Sequence, residues 1–198
     1  MVNKMSQNAM RIALDIDSTL HHYWDTLSEA ARTRFGIDLP YEEQFDWGIT
    51  RLKPRQLEVV IADTHTDRAI LSGTPYPGAV ETVRAWREAG HFIHITSHRA
   101  GGCHAATAAW LEQIGLPFDD LHCSYDKVSR CVELGIDVLV DDSPVNIRHA
   151  IERGIVAATI VHPWNQDVCD EEPVICGRDW TELERRLRPL LAAASPVA

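Results

Sequence analysis

The chain alternates short apolar runs with amphipathic segments from residue 11 onward. Five apolar runs predict strands, namely "RIALDI" (11–16), "HFIHIT" (91–96), "DVLVD" (137–141), "VAATIV" (156–161) and the weaker "LHCS" (121–124). Between and after these runs, the spacing of apolar residues predicts helices near 79–89, 103–114, 127–134, 145–153 and 179–193. The alternation predicts an α/β fold, with a Rossmann-like parallel sheet as the middle of three layers.

One segment interrupts this alternation. Residues 20–75 contain no convincing strand for the main sheet, but "WDTLSEAARTRFG" and "KPRQLEVVIAD" have helical patterns. The turn-rich stretch "SGTPYPG" then marks the return to the main pattern. We therefore predict a core formed by residues 10–19 and 76–198, with a small helical cap at 20–75 inserted after the first strand.

Composition restricts the class of protein. The 198 residues are 45% apolar and 24% charged, which is typical of a globular chain with room for one domain and an insertion. No apolar run approaches the length of a membrane span, and the start "MVNKMSQNAM" lacks the apolar stretch of a secretory signal. Five cysteines without a C-x-x-C pair suggest reduced thiols. We expect a cytoplasmic protein that does not bind a membrane.

The formal net charge of −10 repels phosphate groups at long range. It therefore disfavours a nucleic-acid partner or an anionic membrane surface. A small phosphorylated substrate would need a local positive charge to overcome this field. The sequence does not determine the oligomeric state, and a homodimer is one of the states that it allows.

Polar side chains collect where the predicted strands end. They are Asp15, Asp17 and Thr19, then Thr96 and Ser97, then Lys127, and finally Asp141 and Asp142. Each aspartate alone is commonly a helix N-cap, and Lys127 alone is most often a solvated surface residue. Because ligands of open α/β sheets bind outside the carboxyl ends of the strands, we expect these groups to converge. Four converging carboxylates need a cation, and oxygen ligands of this type favour Mg²⁺.

This constellation resembles the haloacid dehalogenase superfamily of phosphohydrolases. The resemblance rests on Asp15-Ile16-Asp17-Ser18-Thr19, Thr96, Lys127 and Asp141-Asp142, in the order typical of that superfamily. "ITSHR", "DKVSRCVELGIDVLVDDSPVN" and the small cap are most similar to the 5'(3')-deoxyribonucleotidases of the cytosolic type and their bacterial relatives. Two departures are Ser18, where the superfamily usually carries Gly, and His98-Arg99, where its nucleotidases typically have Pro.

The resemblance implies catalytic roles for the two aspartates of the first strand. Asp15 would be the nucleophile that forms an aspartyl-phosphate. Asp17 would protonate the leaving group and then activate water, which requires a pKa raised toward neutrality. Mg²⁺ would be held by Asp142, Asp15 and the backbone carbonyl of Asp17, whereas Asp141 would orient the site or hold a metal-bound water.

The resemblance also implies which residues bind the substrate. Lys127 and the hydroxyls of Thr96 and Ser97 would hold the phosphoryl oxygens. His98 and Arg99 follow these hydroxyls and are either substrate contacts or an exposed loop pair. In the cap, Trp24 and Trp47 could form the wall of a ring-binding pocket or the hydrophobic core of the cap itself.

The sequence is compatible with three functions. The resemblance favours a Mg²⁺-dependent 5'-nucleotidase that acts on (deoxy)nucleoside monophosphates. The same fold could instead hydrolyse a sugar phosphate, another small phosphorylated metabolite or a nucleic-acid end. A non-hydrolytic phosphoacceptor module is disfavoured, because its acidic pair would precede the phosphoacceptor aspartate and no cap would follow the first strand. No P-loop motif supports a kinase.

Overall fold

A computed structural model describes residues 9–193. Its strands are Arg11–Asp15 (β1), Phe92–Ser97 (β2), Asp120–Cys123 (β3), Val138–Val140 (β4), Val156–Ile160 (β5) and Ile175–Gly177 (β6). Its α-helices are Tyr23–Phe35 (α1), Pro54–Thr64 (α2), Asp67–Leu71 (α3), Ala79–Glu88 (α4), His104–Gln113 (α5), Lys127–Glu133 (α6), Pro144–Glu152 (α7), Gln166–Glu171 (α8) and Trp180–Ala193 (α9). The six strands form one parallel sheet in the order β3-β2-β1-β4-β5-β6.

The alternation of side chains along β1 explains why the sheet is covered on both faces. Ile12 and Leu14 share a buried cluster with residues of α4, α5 and α9. Ala13 points to the opposite face and packs with residues of α6 and α7. Because both faces are apolar, the strands must lie between two helical layers. The predicted Rossmann-like α/β architecture is confirmed.

Three short elements were not predicted. Strand β6 has three residues, and helices α3 and α8 have five and six residues. Each is too short to produce a recognisable apolar period. Strand β6 is defined by its pairing with β5 at the edge of the sheet, a contact that its own residues do not encode.

The segment 20–75, which we call the cap segment, contains a separate hydrophobic cluster. Buried residues of α1 and α2 and the loops around them form this cluster, and Trp164 joins it from outside the segment. Ile70 in α3 packs instead with the main core. The entry and exit of the segment are neighbours, since His22 N donates to Thr74 O (3.0 Å) and Tyr76 N donates to Leu20 O (2.9 Å). The division into core and cap stays a prediction.

The topology brings the predicted site residues to one edge of the sheet. Strand β1 lies between β2 and β4, and this is the point where the strand order reverses. The carboxyl ends of these three strands therefore share one crevice. Helices α6 and α7 begin at the same edge, with Asp126 and Ser143 as their side-chain N-caps.

The expectation of reduced thiols is wrong for two of the five cysteines. Cys169 in α8 and Cys176 in β6 form a disulfide, with their Cα atoms 6.1 Å apart, whereas the cysteines at 103, 123 and 131 are free. The pair forms because the chain turns back between α8 and β6, which no spacing rule predicts. None of the helices between residues 9 and 193 is long and apolar enough to cross a membrane. Predicted core residues 194–198 lie outside the described part of the chain.

Candidate active site

Three buried carboxylates meet at the crevice. Asp15 is the last residue of β1, and Asp141 and Asp142 follow directly after β4. One ligand atom from each residue can be chosen so that all three atoms lie within 4.8 Å of one another. Strand β1 pairs in register with β4, which explains why residues 126 positions apart in the chain come together.

Lys127 is the cation of this cluster. Its Nζ donates to Asp15 Oδ1 at 2.5 Å and to Asp141 Oδ2 at 3.1 Å, and the side chain is buried. Burial lowers the pKa of Lys127, but the carboxylates of Asp141 and Asp15 raise it above its ordinary value. Lys127 therefore remains an ammonium, and it balances only one of three negative charges.

The excess negative charge perturbs the carboxylates. Burial raises the pKa of Asp15 to about 7; Lys127 opposes this rise, and Asp141 adds to it. Burial and the neighbouring Asp15 and Asp141 also raise the pKa of Asp142 well above its ordinary value. A cation bound at this site would reduce the repulsion between the carboxylates. Carboxylate oxygens are also the ligands that Mg²⁺ prefers. The residues thus fit the magnesium ion that the sequence predicts.

The two neighbouring aspartates have different surroundings. Both carboxylate oxygens of Asp141 accept hydrogen bonds from Asn146 Nδ2 (3.0 and 3.1 Å), and Oδ1 also accepts from Ser143 N (2.9 Å). Asp142 accepts one side-chain hydrogen bond within the described chain, from Trp164 Nε1 to Oδ2 at 3.1 Å. Asp142 therefore keeps more lone pairs for a metal, whereas Asp141 is held by its neighbours.

Asp17 is in an ion pair that the sequence did not predict. Arg99 donates from Nη2 to Asp17 Oδ1 at 2.6 Å and from Nε to Oδ2 at 3.2 Å. His21 Nδ1 lies 3.3 Å from Oδ1. Burial raises the pKa of Asp17, but Arg99 and His21 outweigh it and lower the pKa well below its ordinary value. The expected raised pKa of Asp17 is thus wrong for this conformation.

The prediction that Arg99 contacts the substrate also requires correction. Its side chain is only 1% exposed and does not line the cavity. Besides Asp17 it binds Thr107, with Nη1 donating to Oγ1 at 3.3 Å. A sequence cannot reveal this pairing, because Asp17 and Arg99 are 82 positions apart.

The two hydroxyls at the end of β2 are buried beside β1. Thr96 is in register with Asp15, and its Oγ1 has no hydrogen-bond partner among residues 9–193. An unpaired buried hydroxyl is costly and is suited to donate to an anionic ligand. Ser97 Oγ accepts a hydrogen bond from Arg99 N at 3.2 Å and thereby shapes the following loop.

A cavity of about 260 Å³ opens from Asp15, Asp17, Lys127 and Asp142 toward the cap segment. Its other walls are mostly aromatic and aliphatic, with contributions from Tyr23, Trp24, Leu27, Trp47, Ile49, Ile61, Tyr125 and Trp164. Trp24 is buried in the hydrophobic cluster of the cap segment and also lines the cavity. Trp47 is 44% exposed at the wall. Trp24 therefore fits both alternatives, whereas Trp47 lines the cavity and is not part of the hydrophobic cluster.

Several residues that line the cavity are not predicted from the sequence. His98, which was predicted, lines the wall and stacks on Tyr125 with ring centroids 5.9 Å apart. Tyr125 lies in a loop and Trp164 in a single 3-10 turn, Pro163–Asn165, and neither has a periodicity that would mark it. Gln44 also lines the cavity, and its Nε2 donates to the carbonyls of Asp46 (2.5 Å) and Gly48 (3.0 Å). The nearness of Tyr125 to Lys127 in the sequence is the one signal that could have suggested it.

Solved structures of other proteins have the same fold. A haloacid dehalogenase family hydrolase from Deinococcus radiodurans, crystallised with phosphate and sodium, aligns with a TM-score of 0.64 at 18% identity over 96% of this chain and 97% of that chain. A superfamily member from Ehrlichia chaffeensis aligns with a TM-score of 0.58 at 15% identity over 95% of this chain and 100% of its own. At these identities the likeness shows the fold alone.

Sequence comparison identifies the family. A protein of Chlorobaculum tepidum named "Putative 5'(3')-deoxyribonucleotidase" is 28% identical over 177 residues, which cover 83% of this chain and 85% of that protein. The sequence model of the family described as "5' nucleotidase, deoxy (Pyrimidine), cytosolic type C protein" matches residues 8–191. This chain is therefore a phosphatase that belongs to the cytosolic type C 5'-nucleotidase family.

Proposed function

We propose that the protein is a Mg²⁺-dependent 5'-nucleotidase that hydrolyses (deoxy)nucleoside monophosphates through an aspartyl-phosphate. The observation that carries this proposal is the direct opening of the Asp15–Lys127 cluster into the aromatic cavity. A nucleotide has the same two parts, a phosphate and a flat ring, joined by a sugar. The name of the relative from Chlorobaculum tepidum supports a deoxyribonucleotide substrate.

The chemistry begins at Asp15. One of its carboxylate oxygens attacks phosphorus, the bond from phosphorus to the ester oxygen breaks, and the leaving alkoxide takes a proton. Lys127 keeps its charge throughout and attracts the phosphoryl oxygens. The hydroxyl of Thr96 is unpaired and in register with Asp15, but it is fully buried and does not line the cavity, so its donation to one of the same oxygens would require a local movement. Water then cleaves the acyl phosphate, which releases phosphate and restores Asp15.

Asp15, Asp142 and the backbone carbonyl of Asp17 would hold Mg²⁺, with Asp141 keeping the cluster in register through Asn146 and Ser143. The ion supplies positive charge that offsets the excess of carboxylates and of substrate phosphate. A bound cation also favours the ionised form of Asp15, the form that attacks.

Asp17 donates the proton to the leaving group and later accepts one from water. Both transfers need a pKa nearer neutrality than the ion pair with Arg99 allows. The carboxylate lines the cavity and is partly exposed, so rotation of its side chain can bring it to the substrate. We therefore assign the Arg99-bound position to the resting enzyme and the rotated position to the reacting one.

The ring of the substrate would bind against Trp47, in the cavity that Trp24 and Trp164 also line; these two tryptophans pack on each other with ring centroids 5.3 Å apart. Aromatic stacking of a base contributes about 1 to 3 kcal/mol. Gln44 adds a polar group to this wall. Because its Nε2 is engaged by two backbone carbonyls, its Oε1 is the atom left to accept from an N–H group of the base.

Phosphate release from a substrate panel tests the proposal. The panel contains deoxyribonucleoside and ribonucleoside 5'-monophosphates, sugar phosphates, an oligonucleotide with a terminal phosphate, and an aryl phosphate. We expect the highest kcat/KM with a nucleoside monophosphate, and no turnover by Asp15→Asn or in excess chelator. A higher kcat/KM for sugar phosphates, or activity that survives in Asp15→Asn, would overturn it.

The separate roles of Asp17 and Lys127 give a second test. Asp17→Asn should slow alkyl leaving groups much more than activated aryl groups, because only the former require a proton. Lys127→Ala should slow both classes equally, since Lys127 serves the transferred group. Equal leaving-group dependence in the two variants would refute the separate roles.

A further inference from the structure

The loop that carries Asp17 has a strained backbone. Ser18 has a φ of 62°, and it is the only non-glycine residue with positive φ in the described part of the chain. A side chain in this left-handed conformation costs about 1 to 2 kcal/mol. Such a residue keeps this conformation only when its surroundings hold it there.

His162 makes the contact that holds the Ser18 carbonyl. The residue lies just beyond β5, is buried, and places Nε2 at 2.7 Å from Ser18 O. A carbonyl oxygen can only accept, so Nε2 must carry a hydrogen and donate. Burial lowers the pKa of His162 to about 4, so the ring is neutral near pH 7 and has one proton to place.

The other ring nitrogen is engaged by the cap segment. Nδ1 of His162 lies 2.7 Å from the hydroxyl of Tyr41, which must donate because the proton of the neutral ring is on Nε2. The imidazole also stacks on Trp164, with centroids 4.5 Å apart and planes 3° from parallel. Both its tautomer and its orientation are therefore fixed.

We propose that His162 is a positioning residue that locks the peptide between Ser18 and Thr19 and so aims Asp17 at the active site. Its ring connects three separate parts of the chain: the loop after β1, the end of β5 and the cap segment. Fixing the Ser18 carbonyl also fixes the neighbouring backbone of Asp17, the residue that must reach the leaving group. This role rests on the proposed phosphatase mechanism but not on the choice of a nucleotide as substrate.

Two substitutions at one position separate the two hydrogen bonds. His162→Gln keeps a donor near the position of Nε2, whereas His162→Asn keeps a polar group near Nδ1 and loses the donor to Ser18. We expect His162→Asn to lower kcat by roughly tenfold to hundredfold with KM nearly unchanged, because misplaced catalytic groups have effects of this size. His162→Gln should restore most of the lost kcat. Equal kcat values in the two variants would overturn the proposal.

Tyr41→Phe provides a variant that keeps the ring and removes only the hydroxyl. We expect a smaller loss of kcat than in His162→Asn and a lower melting temperature, because Nδ1 loses its donor, while the proton stays on Nε2 because Ser18 O can only accept. Side-chain ¹⁵N NMR of the wild-type enzyme should show the proton of His162 on Nε2, and a proton on Nδ1 would contradict the assignment. If His162→Asn fails to fold, these two measurements still decide the question.

Kinetics with glycerol phosphate keep this test independent of the nucleobase, and its alkyl leaving group still requires the proton from Asp17. Failure of wild-type enzyme to hydrolyse nucleotides while it hydrolyses glycerol phosphate would refute the nucleotidase proposal alone. Wild-type kcat on glycerol phosphate in a folded His162→Asn variant would refute the positioning role alone.

Discussion

Replacing Asp15 with Asn should stabilise the metal-free protein near pH 8 while it abolishes turnover. Asp15, Asp141 and Asp142 share a single ammonium, that of Lys127. The Asn side chain keeps the shape of Asp and can still accept from Lys127 Nζ. The substitution also removes one of the negative charges that Lys127 does not balance. A hydrogen bond to Asp15 could not remove that charge.

The pKa of Asp15 sets the size of the effect. Burial raises this pKa from 3.8 to about 7, so between these values the folded chain keeps a proton that the unfolded chain has released. Stability of the wild-type protein therefore falls as pH rises from about 4 to about 7, and above pH 7 the loss is complete. This difference in pKa corresponds to about 4 kcal/mol, an upper limit to the gain from Asp15→Asn at pH 8.

Urea denaturation in the presence of a chelator measures the difference. We expect Asp15→Asn to exceed wild type by about 2 to 4 kcal/mol at pH 8, and by less than half of that at pH 5. Asp170→Asn is a matched control, because Asp170 is exposed on α8 and its substitution should change stability little at either pH.

Magnesium should reduce the difference in stability between the two proteins. Saturating Mg²⁺ stabilises whichever folded chain binds it, by about 2.7 kcal/mol at one hundred times Kd, and wild type should gain more than Asp15→Asn. The reasoning would be refuted by an Asp15→Asn variant that is less stable than wild type in chelator, or whose advantage does not change with pH.

Three further predictions concern the cavity and the loop. Trp47→Ala should lower kcat/KM for a nucleoside monophosphate roughly tenfold to hundredfold and leave glycerol phosphate nearly unchanged, which steady-state kinetics on both esters can check. Gln44→Met should reduce about tenfold the preference for a thymine or uracil nucleotide, whose N3–H can donate to Gln44 Oε1, over its N3-methylated analogue, as measured by direct competition; an unchanged ratio would exclude base reading by Gln44. Ser18→Gly should raise the unfolding free energy by up to about 1 kcal/mol in thermal melts, because glycine adopts positive φ freely; a marked loss would show that Ser18 is not strained.

The sequence is sufficient to predict the strands and helices whose apolar residues form a recognisable run or repeat. Strands β1, β2 and β4 are buried apart from the first residue of β1 and of β2, so they appear as apolar runs with polar residues at their ends. The position of Asp15 and Lys127 at one sheet edge then follows from parallel topology alone. Elements shorter than about two turns, such as α3 and α8, have no period to detect.

The predictions that were wrong or missing concern side-chain contacts that the local sequence pattern does not encode. The pairing of Arg99 with Asp17 lowers the pKa of Asp17, whereas a raised pKa was expected. No residue near either of them in the sequence indicates this pairing. Gln44 reaches the cavity through a loop whose shape it helps to set. Cys169 and Cys176 come together through one turn of the chain. Side-chain partners of this kind are fixed by tertiary structure and not by local pattern.

The adjacent entry and exit of the cap segment have an evolutionary consequence. Because His22 is hydrogen-bonded to Thr74 and Tyr76 to Leu20, a short turn could join the two ends without moving β1 or α4. A contiguous stretch of gene thus encodes most of the aromatic and aliphatic wall of the cavity, where we propose that the ring binds, and the rest encodes the residues to which we assign the phosphate chemistry. We expect this stretch to be replaceable as a unit by recombination, so that substrate preference can change while the reaction is inherited intact.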